Sequence, residues 1–398
     1  MSNPGELPQA PDRLHGMDAL RSVLMLLGVV IHAADPYAVG SRWLVRDPNG
    51  SVFFDRLVDG IHVFRMPAFF LISGFFSMLL LRRWSTSKFL RDRIRRIGLP
   101  LIATLLSFNL LQVGWLSAQA APGSQWHWTT WLDAWRSGHW LGHLWFLVYL
   151  LTFCLAAALL APALRRLPLT GRWMPRGRPW MLMLIGVAAL LLPRAIAFVH
   201  PDWGRLTLAG MIDPLEWLYY LPFFAGGLWL QSDALLLGEF TGFSALEVLM
   251  ALATAATLRW IGEDPQGLAM KVLLAAASAL WVWWLVRAAL AMGLRLLARP
   301  WAGWRKLADA SYTVYLFHHL IVVVLATWLA SVAAPLALKF SLVLAVALLL
   351  PLLLHHGLIL RNEWLRLLFN GRARRAVGSG GHPIPKALDA VQERGRLG

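Results

Sequence analysis

The sequence predicts an all-α, polytopic integral membrane protein with about ten transmembrane helices. The 398-residue chain is 58% hydrophobic and only 15% charged, and its mean hydropathy of +0.57 is too high for a soluble domain. It contains ten apolar segments, each long enough to cross a bilayer core of about 30 Å. These segments lie near residues 17–36, 61–81, 97–119, 140–164, 180–199, 214–231, 243–261, 268–290, 307–332 and 335–360.

The net charge of +16 is distributed as expected for a membrane protein. Lys and Arg concentrate in connections that fall on one side if the helices alternate, namely residues 82–96, 165–178, 295–306 and 366–375. The other connections are poorer in Lys and Arg. By the positive-inside rule, both termini are predicted to be cytoplasmic. Membrane topology therefore explains the charge, and no nucleic-acid partner is predicted.

One membrane domain is predicted over residues 17–369, between a cytoplasmic N-terminal segment, 1–16, and a cytoplasmic tail, 370–398. The tail is rich in Gly, Arg and Pro and is predicted to be disordered. The first apolar segment has no small-residue cleavage site, so we interpret it as a retained helix. The single cysteine, Cys154, excludes an intramolecular disulfide, and no metal site is predicted.

The first apolar segment carries Asp18, Arg21 and His32. At about 100° and 1.5 Å per residue, the step from Arg21 to His32 returns to nearly the same helix face about 16 Å further along. Asp18 and Gly28 share that stripe, and Asp18 can orient or neutralise Arg21 one turn away. Ionisable groups in membrane helices usually face a protein interior or a wet cavity, so the stripe is a predicted functional site.

The second apolar segment places His62 and Arg65 near its outer end and Ser73 and Gly74 deeper in the membrane. For Arg65, a snorkelling side chain and a role in a site remain equally open interpretations. Ser73 with Gly74 is more typical of a close helix contact than of a nucleophile.

A basic run, KFLRDRIRRIGLP, enters the third segment. Arg93 and Arg96 are three residues apart and therefore adjacent on one face of a helix, where two guanidinium groups suit a phosphate. Positive-inside topology explains the same run, including Arg95, and both interpretations stay open.

The ninth segment contains His318 and His319 in an apolar interior. Adjacent side chains on a helix point about 100° apart, so we expect that the two histidines do not serve one site. One of them could polarise a carbonyl or hold an acceptor.

Six motifs occur in a consistent order between Met17 and Gly371: DALRSVLMLLGVVIH, FRMPAFFLISGFF, the RxxR from Arg93 to Arg96, HLWFLVYLL, LYYLPFFAGGLWL and YLFHH. In this order they resemble the membrane-bound acyltransferase family 3. Within the family, the chain resembles members that add succinyl groups to osmoregulated periplasmic glucans.

The resemblance implies a multi-pass enzyme of the bacterial inner membrane, where membrane lipid surrounds it. Such an enzyme moves an acyl group from a cytoplasmic acyl-CoA to hydroxyls of a periplasmic β-glucan, with no permanently bound cofactor and with glucan-synthesis proteins as further partners. Succinyl-CoA is the expected donor, and acetyl-CoA stays open because acetyl transfer uses the same scaffold. Position by position, His32 matches the essential histidine of the family and Arg21 its basic partner. Arg93 and Arg96 match the RxxR, and the second-helix motif covers four residues, His62, Arg65, Ser73 and Gly74.

The residues themselves fit this chemistry. A neutral imidazole can remove the proton from an attacking hydroxyl, which makes His32 the candidate general base. Its distance from Arg21 is comparable with a thioester arm that threads inward while its phosphates stay among Arg93, Arg95 and Arg96.

Two other function classes fit the same features. In a transporter or flippase for a polar solute or glycan, buried His and Arg would bind cargo or relay protons. The lack of a recognisable internal repeat argues against that class. A scaffold in a glycan-synthesis complex would need none of these residues for chemistry.

Overall fold

The computed structural model describes residues 10–40, 43–120, 128–136, 140–166, 179–262, 264–297 and 302–372. Residues 1–9 of the predicted N-terminal segment and the predicted tail after Arg372 lie outside the described residues. The helices are α1 Ala10–Ala34, α2 Val52–Arg83, α3 Thr86–Gln119, α4 Trp128–Arg136, α5 Trp145–Leu159, α6 Ala161–Arg166, α7 Pro179–Val199, α8 Pro214–Ser232, α9 Ala234–Thr241, α10 Ala245–Ile261, α11 Leu268–Leu296, α12 Ala302–Ala330, α13 Leu336–Leu354 and α14 Glu363–Asn370. Within these ranges there is no β-strand, only an isolated bridge between Leu208 and Ile212, which confirms the all-α class.

The described residues form eight helices that are long and apolar enough to cross a membrane. The pair α9 and α10, bent by 56°, would make a ninth. The sequence predicted about ten, and the difference lies at residues 214–231. A helix forms there, α8, but it is not among the eight, and it packs more extensively against α2 than any other two helices pack.

The α2–α8 crossing is close because glycines lie on both sides of it. A Cβ at Gly74 would overlap the backbone carbonyl of Phe224, and a Cβ at Gly227 would overlap that of Leu71. Small residues let two membrane helices approach backbone to backbone. The predicted role of Ser73 and Gly74 as a close helix contact is confirmed for Gly74.

Helix α1 lies centrally and contacts α2, α11, α12 and α13. It therefore presents its polar stripe to other helices rather than to lipid alone.

Helix α3 contains two π-helical turns, Ile94–Gly98 and Leu105–Asn109. Such turns widen a helix by one residue and are frequent at functional sites. At the first turn, the Tyr312 hydroxyl donates to the carbonyl of Arg96 at 3.1 Å. At the second, the Asn109 amide donates to the carbonyls of Trp140 and Leu141 at 2.8 and 2.9 Å.

The α1–α2 loop, residues 35–51, is fixed to the helices by two carboxylates. Asp47 forms a buried ion pair with Lys339 of α13, with 2.5 Å between Oδ2 and Nζ. The Asp55 carboxylate accepts hydrogen bonds from the backbone N–H groups of Val39 and Gly40. These contacts hold the loop over the end of α1 that carries His32.

Candidate active site

Two adjoining cavities, of about 180 and 380 Å³, open at one end of the helix bundle. Both are lined by Arg21, Phe76, Arg93, Arg96, Ala308, Asp309 and Arg372. We call this end the basic end and the two cavities together the arginine cavity. Ser73 lies on the inner wall of the first cavity, toward the centre of the bundle.

The charges of the arginine cavity are not balanced. Arg21 pairs with Asp18 at 3.1 Å, as predicted from their spacing. Asp92 serves two cations, because it contacts Arg93 and also lies 2.8 Å from Nε of Arg96. Arg372 has its own carboxylate partner, so the four arginines share only three aspartates in these contacts. The surplus positive charge favours an anion.

The opposite end of α1 lies in a cluster of four histidines, which we call the histidine cluster: His32, His143, His318 and His319. The His32 ring centroid lies 5.4 Å from that of His318 and 5.0 Å from that of His319. The His143 centroid lies 4.6 Å from that of His319 and 5.1 Å from that of His318. Trp43 of the α1–α2 loop borders the cluster, with its ring 6.2 Å from His32.

Hydrogen bonds fix three of the four rings through Nδ1. His32 Nδ1 lies 3.3 Å from the Asp35 carboxylate. His318 Nδ1 donates to the carbonyl of Tyr315 at 2.8 Å, and His319 Nδ1 lies 2.6 Å from the Gln112 amide oxygen. Nε2 of His318 and both ring nitrogens of His143 are buried without a hydrogen-bond partner among the described residues. The cluster can therefore offer unpaired imidazole nitrogens to a substrate.

Arg65 of α2 packs against the polar stripe of α1 at Gly28, which lies between Arg21 and His32 along α1. Its guanidinium occupies the space above Gly28, where a Cβ would overlap it. The side chain is only 7% exposed, and within the described ranges Nε has no hydrogen-bond partner and the guanidinium has no ion pair. A buried, unpaired cation of this kind is costly unless an anion joins it.

Aromatic side chains connect the two sites. Phe146 and Tyr312 line the first cavity. Their ring centroids lie 5.8 and 6.4 Å from the ring centroid of Tyr315. Tyr315 in turn contacts His143 at 5.2 Å and donates its hydroxyl to the His143 carbonyl at 2.7 Å. A series of ring contacts thus runs from the arginine cavity to the histidine cluster.

The residues that form this cavity and this cluster lie mostly within a region of the chain that matches a known protein family. Residues 14–356 match the acyltransferase 3 family, described as an acyltransferase domain. The chain belongs to the membrane-bound acyltransferase family 3. It is therefore a multi-pass membrane acyltransferase.

The chain is similar to curated relatives named glucans biosynthesis protein C. The proteins of that name from Escherichia coli strain K12 and from Escherichia coli O139:H28 are each 26% identical to it over 325 residues. The similar region covers 78% of this chain and 83% of each relative. No solved structure matches the chain.

The structure brings most of the predicted acyltransferase residues into these two sites and their connection. Arg21, Arg93, Arg96 and Ser73 line the arginine cavity, and Asp18 lies in its second part. His32 lies in the histidine cluster.

Two predicted residues, Arg95 and His62, lie outside these sites, and one expectation about the histidines is wrong. Arg95 is exposed and does not line the arginine cavity, whereas Arg93 and Arg96, three residues apart, both line it. His62 is also exposed, one turn before Arg65 and outside the ring contacts of the cluster. The expectation that His318 and His319 do not share a site is wrong, because the His32 ring contacts both of them.

Four residues that the structure brings to these sites were not predicted as site residues from the sequence. They are Asp35, Gln112 and His143 at the histidine cluster and Arg372 in the arginine cavity. His143 lies inside the quoted motif HLWFLVYLL, directly after Gly142, which has a positive φ of 50°. A histidine at the start of an apolar helix was a visible signal. Among the described residues, no group of three or more His, Cys, Asp or Glu is arranged to hold a metal ion.

Proposed function

We propose that this chain is an inner-membrane O-acyltransferase that moves a succinyl group from cytoplasmic succinyl-CoA to hydroxyls of a periplasmic glucan. The observation that carries the proposal is that α1 contributes Arg21 to the arginine cavity at the basic end and His32 to the histidine cluster at its other end, with a series of aromatic contacts between the two sites. The arginine cavity suits the phosphates of a donor, and the histidine cluster suits proton transfer. A thioester donor bound at the cavity would have to reach the cluster with its acyl end.

The arginine cavity would hold the donor's phosphates. Arg is the better bidentate partner for phosphate, and four guanidinium groups meet here. The positive-inside rule places this end in the cytoplasm, where acyl-CoA is available. The pantetheine arm would then extend along α1, past Ser73, toward His32.

His32 would act as the general base, positioned by Asp35. A carboxylate that accepts the Nδ1 proton of an imidazole holds the tautomer whose Nε2 is a proton acceptor, and it stabilises the imidazolium that forms. The pair His32 and Asp35 has this geometry. His318 and His319 each use Nδ1 in a hydrogen bond, so their Nε2 atoms are positioned to orient the acceptor hydroxyl.

The proposed reaction is an acyl transfer in one addition and one elimination. The hydroxyl oxygen of the acceptor attacks the thioester carbonyl carbon as Nε2 of His32 removes its proton. The tetrahedral intermediate then collapses, the carbon–sulfur bond breaks, and the thiolate takes the proton from His32. The products are the sugar ester and CoA thiol, and the imidazole is neutral again.

Arg65 would select succinyl over acetyl groups. The distal carboxylate of a succinyl group would give its buried guanidinium the anion that the described side chains do not provide. A bidentate Arg–carboxylate pair is both strong and directional. The acceptor class is taken from the printed name of the relatives, glucans biosynthesis protein C, since they are similar over most of this chain.

The experiment is a transfer assay with purified protein in nanodiscs, isotopically labelled succinyl-CoA and an unsubstituted periplasmic glucan. The wild-type protein is expected to label the glucan, and His32→Ala is expected to lose about 10² to 10⁴-fold in rate. His200→Ala, an exposed histidine at the end of α7, is the matched control and should retain full activity. Movement of glucan or solute across proteoliposomes without any acyl donor, and no labelling, would support a transporter instead.

A further inference from the structure

The C-terminal end of the described chain is pressed against the turn that carries the RxxR arginines. Helix α14 ends at Asn370, and Gly371 adopts a left-handed conformation with φ of 61°. A Cβ at Gly371 would overlap the backbone of Arg95 and Arg96. Only glycine fits this position without strain, because it combines a positive φ with contact to another backbone.

This close approach places the next residue, Arg372, in the arginine cavity. The Arg372 side chain lines both parts of the cavity, together with Arg21, Arg93 and Arg96. Its position is fixed from both sides, because its N–H and C=O groups hydrogen-bond to Arg366 of α14.

The ion pair that Arg372 forms within the chain is weak. Its ion pair with Asp309 has a distance of 2.8 Å, but both side chains are about half exposed, at 54% and 48%. Exposed ion pairs contribute little to stability, typically about 0–1 kcal/mol. Stabilising the fold is therefore a poor explanation for a fourth guanidinium beside three others.

The neighbouring arginines are also incompletely paired. Arg93 and Arg96 share the single carboxylate of Asp92, and the Arg93 Nε is buried without a hydrogen-bond partner in the described part of the chain. Like charges held together at one cavity wall repel each other unless an anion lies between them. A ligand with several phosphate oxygens would satisfy all four guanidinium groups at once.

We propose that Arg372, positioned by Gly371 on the RxxR turn, is a further phosphate-binding residue of the acyl donor site. The inference rests on the proposed function, since it takes the donor to be a cytoplasmic CoA thioester. It adds an arginine from the far end of the chain to the three that α1 and α3 supply. Bound donor would thereby hold α14 against α3.

The test measures binding of CoA itself to the full-length protein in nanodiscs of neutral lipid. Arg372→Ala is expected to weaken CoA binding about tenfold or more, because a hydrogen-bonded charge pair is lost. The CoA affinity of Arg372→Lys should lie between those of the wild type and Arg372→Ala, since lysine keeps the charge but loses the bidentate geometry. Arg361→Ala, an exposed arginine just before α14, is the matched control and should bind CoA as the wild type does.

Pantetheine, which has no phosphates, separates phosphate binding from a general loss of structure. Its affinity should be equal in wild type and Arg372→Ala. A second variant, Gly371→Ala, keeps the arginine but displaces it, and it should weaken CoA binding in the same direction while the unfolding midpoint shows that the protein still folds.

The outcomes are distinguishable. Equal CoA affinity of wild type and Arg372→Ala would overturn the role of Arg372 and leave the donor intact. No CoA binding by the wild type would overturn the donor assignment and the inference together. A parallel measurement in nanodiscs that contain anionic phosphatidylglycerol tests a lipid headgroup as the source of the phosphate. If Arg372→Ala loses affinity for that lipid but binds CoA as the wild type does, the phosphate that Arg372 binds belongs to a lipid, and the inference is wrong.

Discussion

His32 and Asp35 are three residues apart in sequence, and Nδ1 of the imidazole lies 3.3 Å from Oδ2 of the carboxylate. Both side chains are largely buried, at 19% and 11% exposure. The pair lies where α1 ends and the α1–α2 loop begins, so the loop supplies the group that orients the candidate base. A carboxylate in this position fixes the tautomer of its histidine.

We therefore predict that Asp35→Asn lowers kcat for acyl transfer about 10²-fold and leaves KM for the donor nearly unchanged. The amide keeps the size of the side chain but cannot stabilise an imidazolium. Steady-state kinetics of the purified variant measure this, with the exposed Asp202→Asn as the control. A change in KM alone would show that Asp35 acts in binding and not on His32.

The contact between Gly28 and Arg65 predicts a change in donor preference. In Gly28→Ala, the new methyl group takes the space of the Arg65 guanidinium, which is the flexible end of a long side chain and can move. We expect KM for succinyl-CoA to rise about tenfold, as for the loss of a charged hydrogen bond, while acetyl-CoA is used as before.

Helix stability is expected to stay constant or rise in Gly28→Ala, because alanine is favoured over glycine in a helix by about 0.5–1 kcal/mol. Lower use of both donors together with a lower unfolding midpoint would contradict the selective role of Arg65.

The close crossing of α2 and α8 predicts that alanine substitutions at two glycines of α2 differ in their effect on stability. Gly74→Ala should destabilise the protein by about 1–3 kcal/mol, since its Cβ meets the Phe224 backbone, which cannot rotate away. Gly60→Ala meets no atom within 4 Å and should be neutral or slightly stabilising. Thermal unfolding in detergent compares them, and equal midpoints would contradict the crossing.

The buried ion pair of Asp47 and Lys339 predicts a large loss of stability when only one partner is removed. Asp47→Ala leaves an ammonium group that is 2% exposed without its counter-charge, at a cost of about 3–5 kcal/mol. Replacing both residues by apolar ones of similar size should recover most of that loss.

The exposed pair of Asp133 and Arg136, 4.0 Å apart, is the control for the buried one. Asp133→Ala should change the free energy of unfolding by no more than about 1 kcal/mol. If Asp47→Ala behaves like Asp133→Ala, the α1–α2 loop is not fixed by this pair.

The part of the site that lies on one helix could be predicted from the sequence. The spacing of Arg21 and His32 and the pairing of Asp18 with Arg21 follow from helix geometry alone. Hydropathy likewise predicted the helices, apart from the status of α8, whose close packing on α2 is a tertiary property.

Contacts between distant helices could not be predicted in this way. The angle between His318 and His319 was correctly taken as about 100°, but a third ring placed between two others can contact both. Arg95 belongs to the same basic run as Arg93 and Arg96, and only the packing of α3 against its neighbouring helices shows that the other two line the cavity and Arg95 does not. Arg372 lies far from the RxxR in sequence and reaches it through the packing of Gly371.

The central claim is acyl transfer from a cytoplasmic thioester by the histidine cluster. Its most direct test is mass spectrometry of periplasmic glucans from cells that lack endogenous glucan succinylation and express either the wild type or His32→Ala at equal levels. The account predicts glucans with the mass increment of succinyl groups for the wild type and unsubstituted glucans for His32→Ala. Equal substitution in both strains would contradict it.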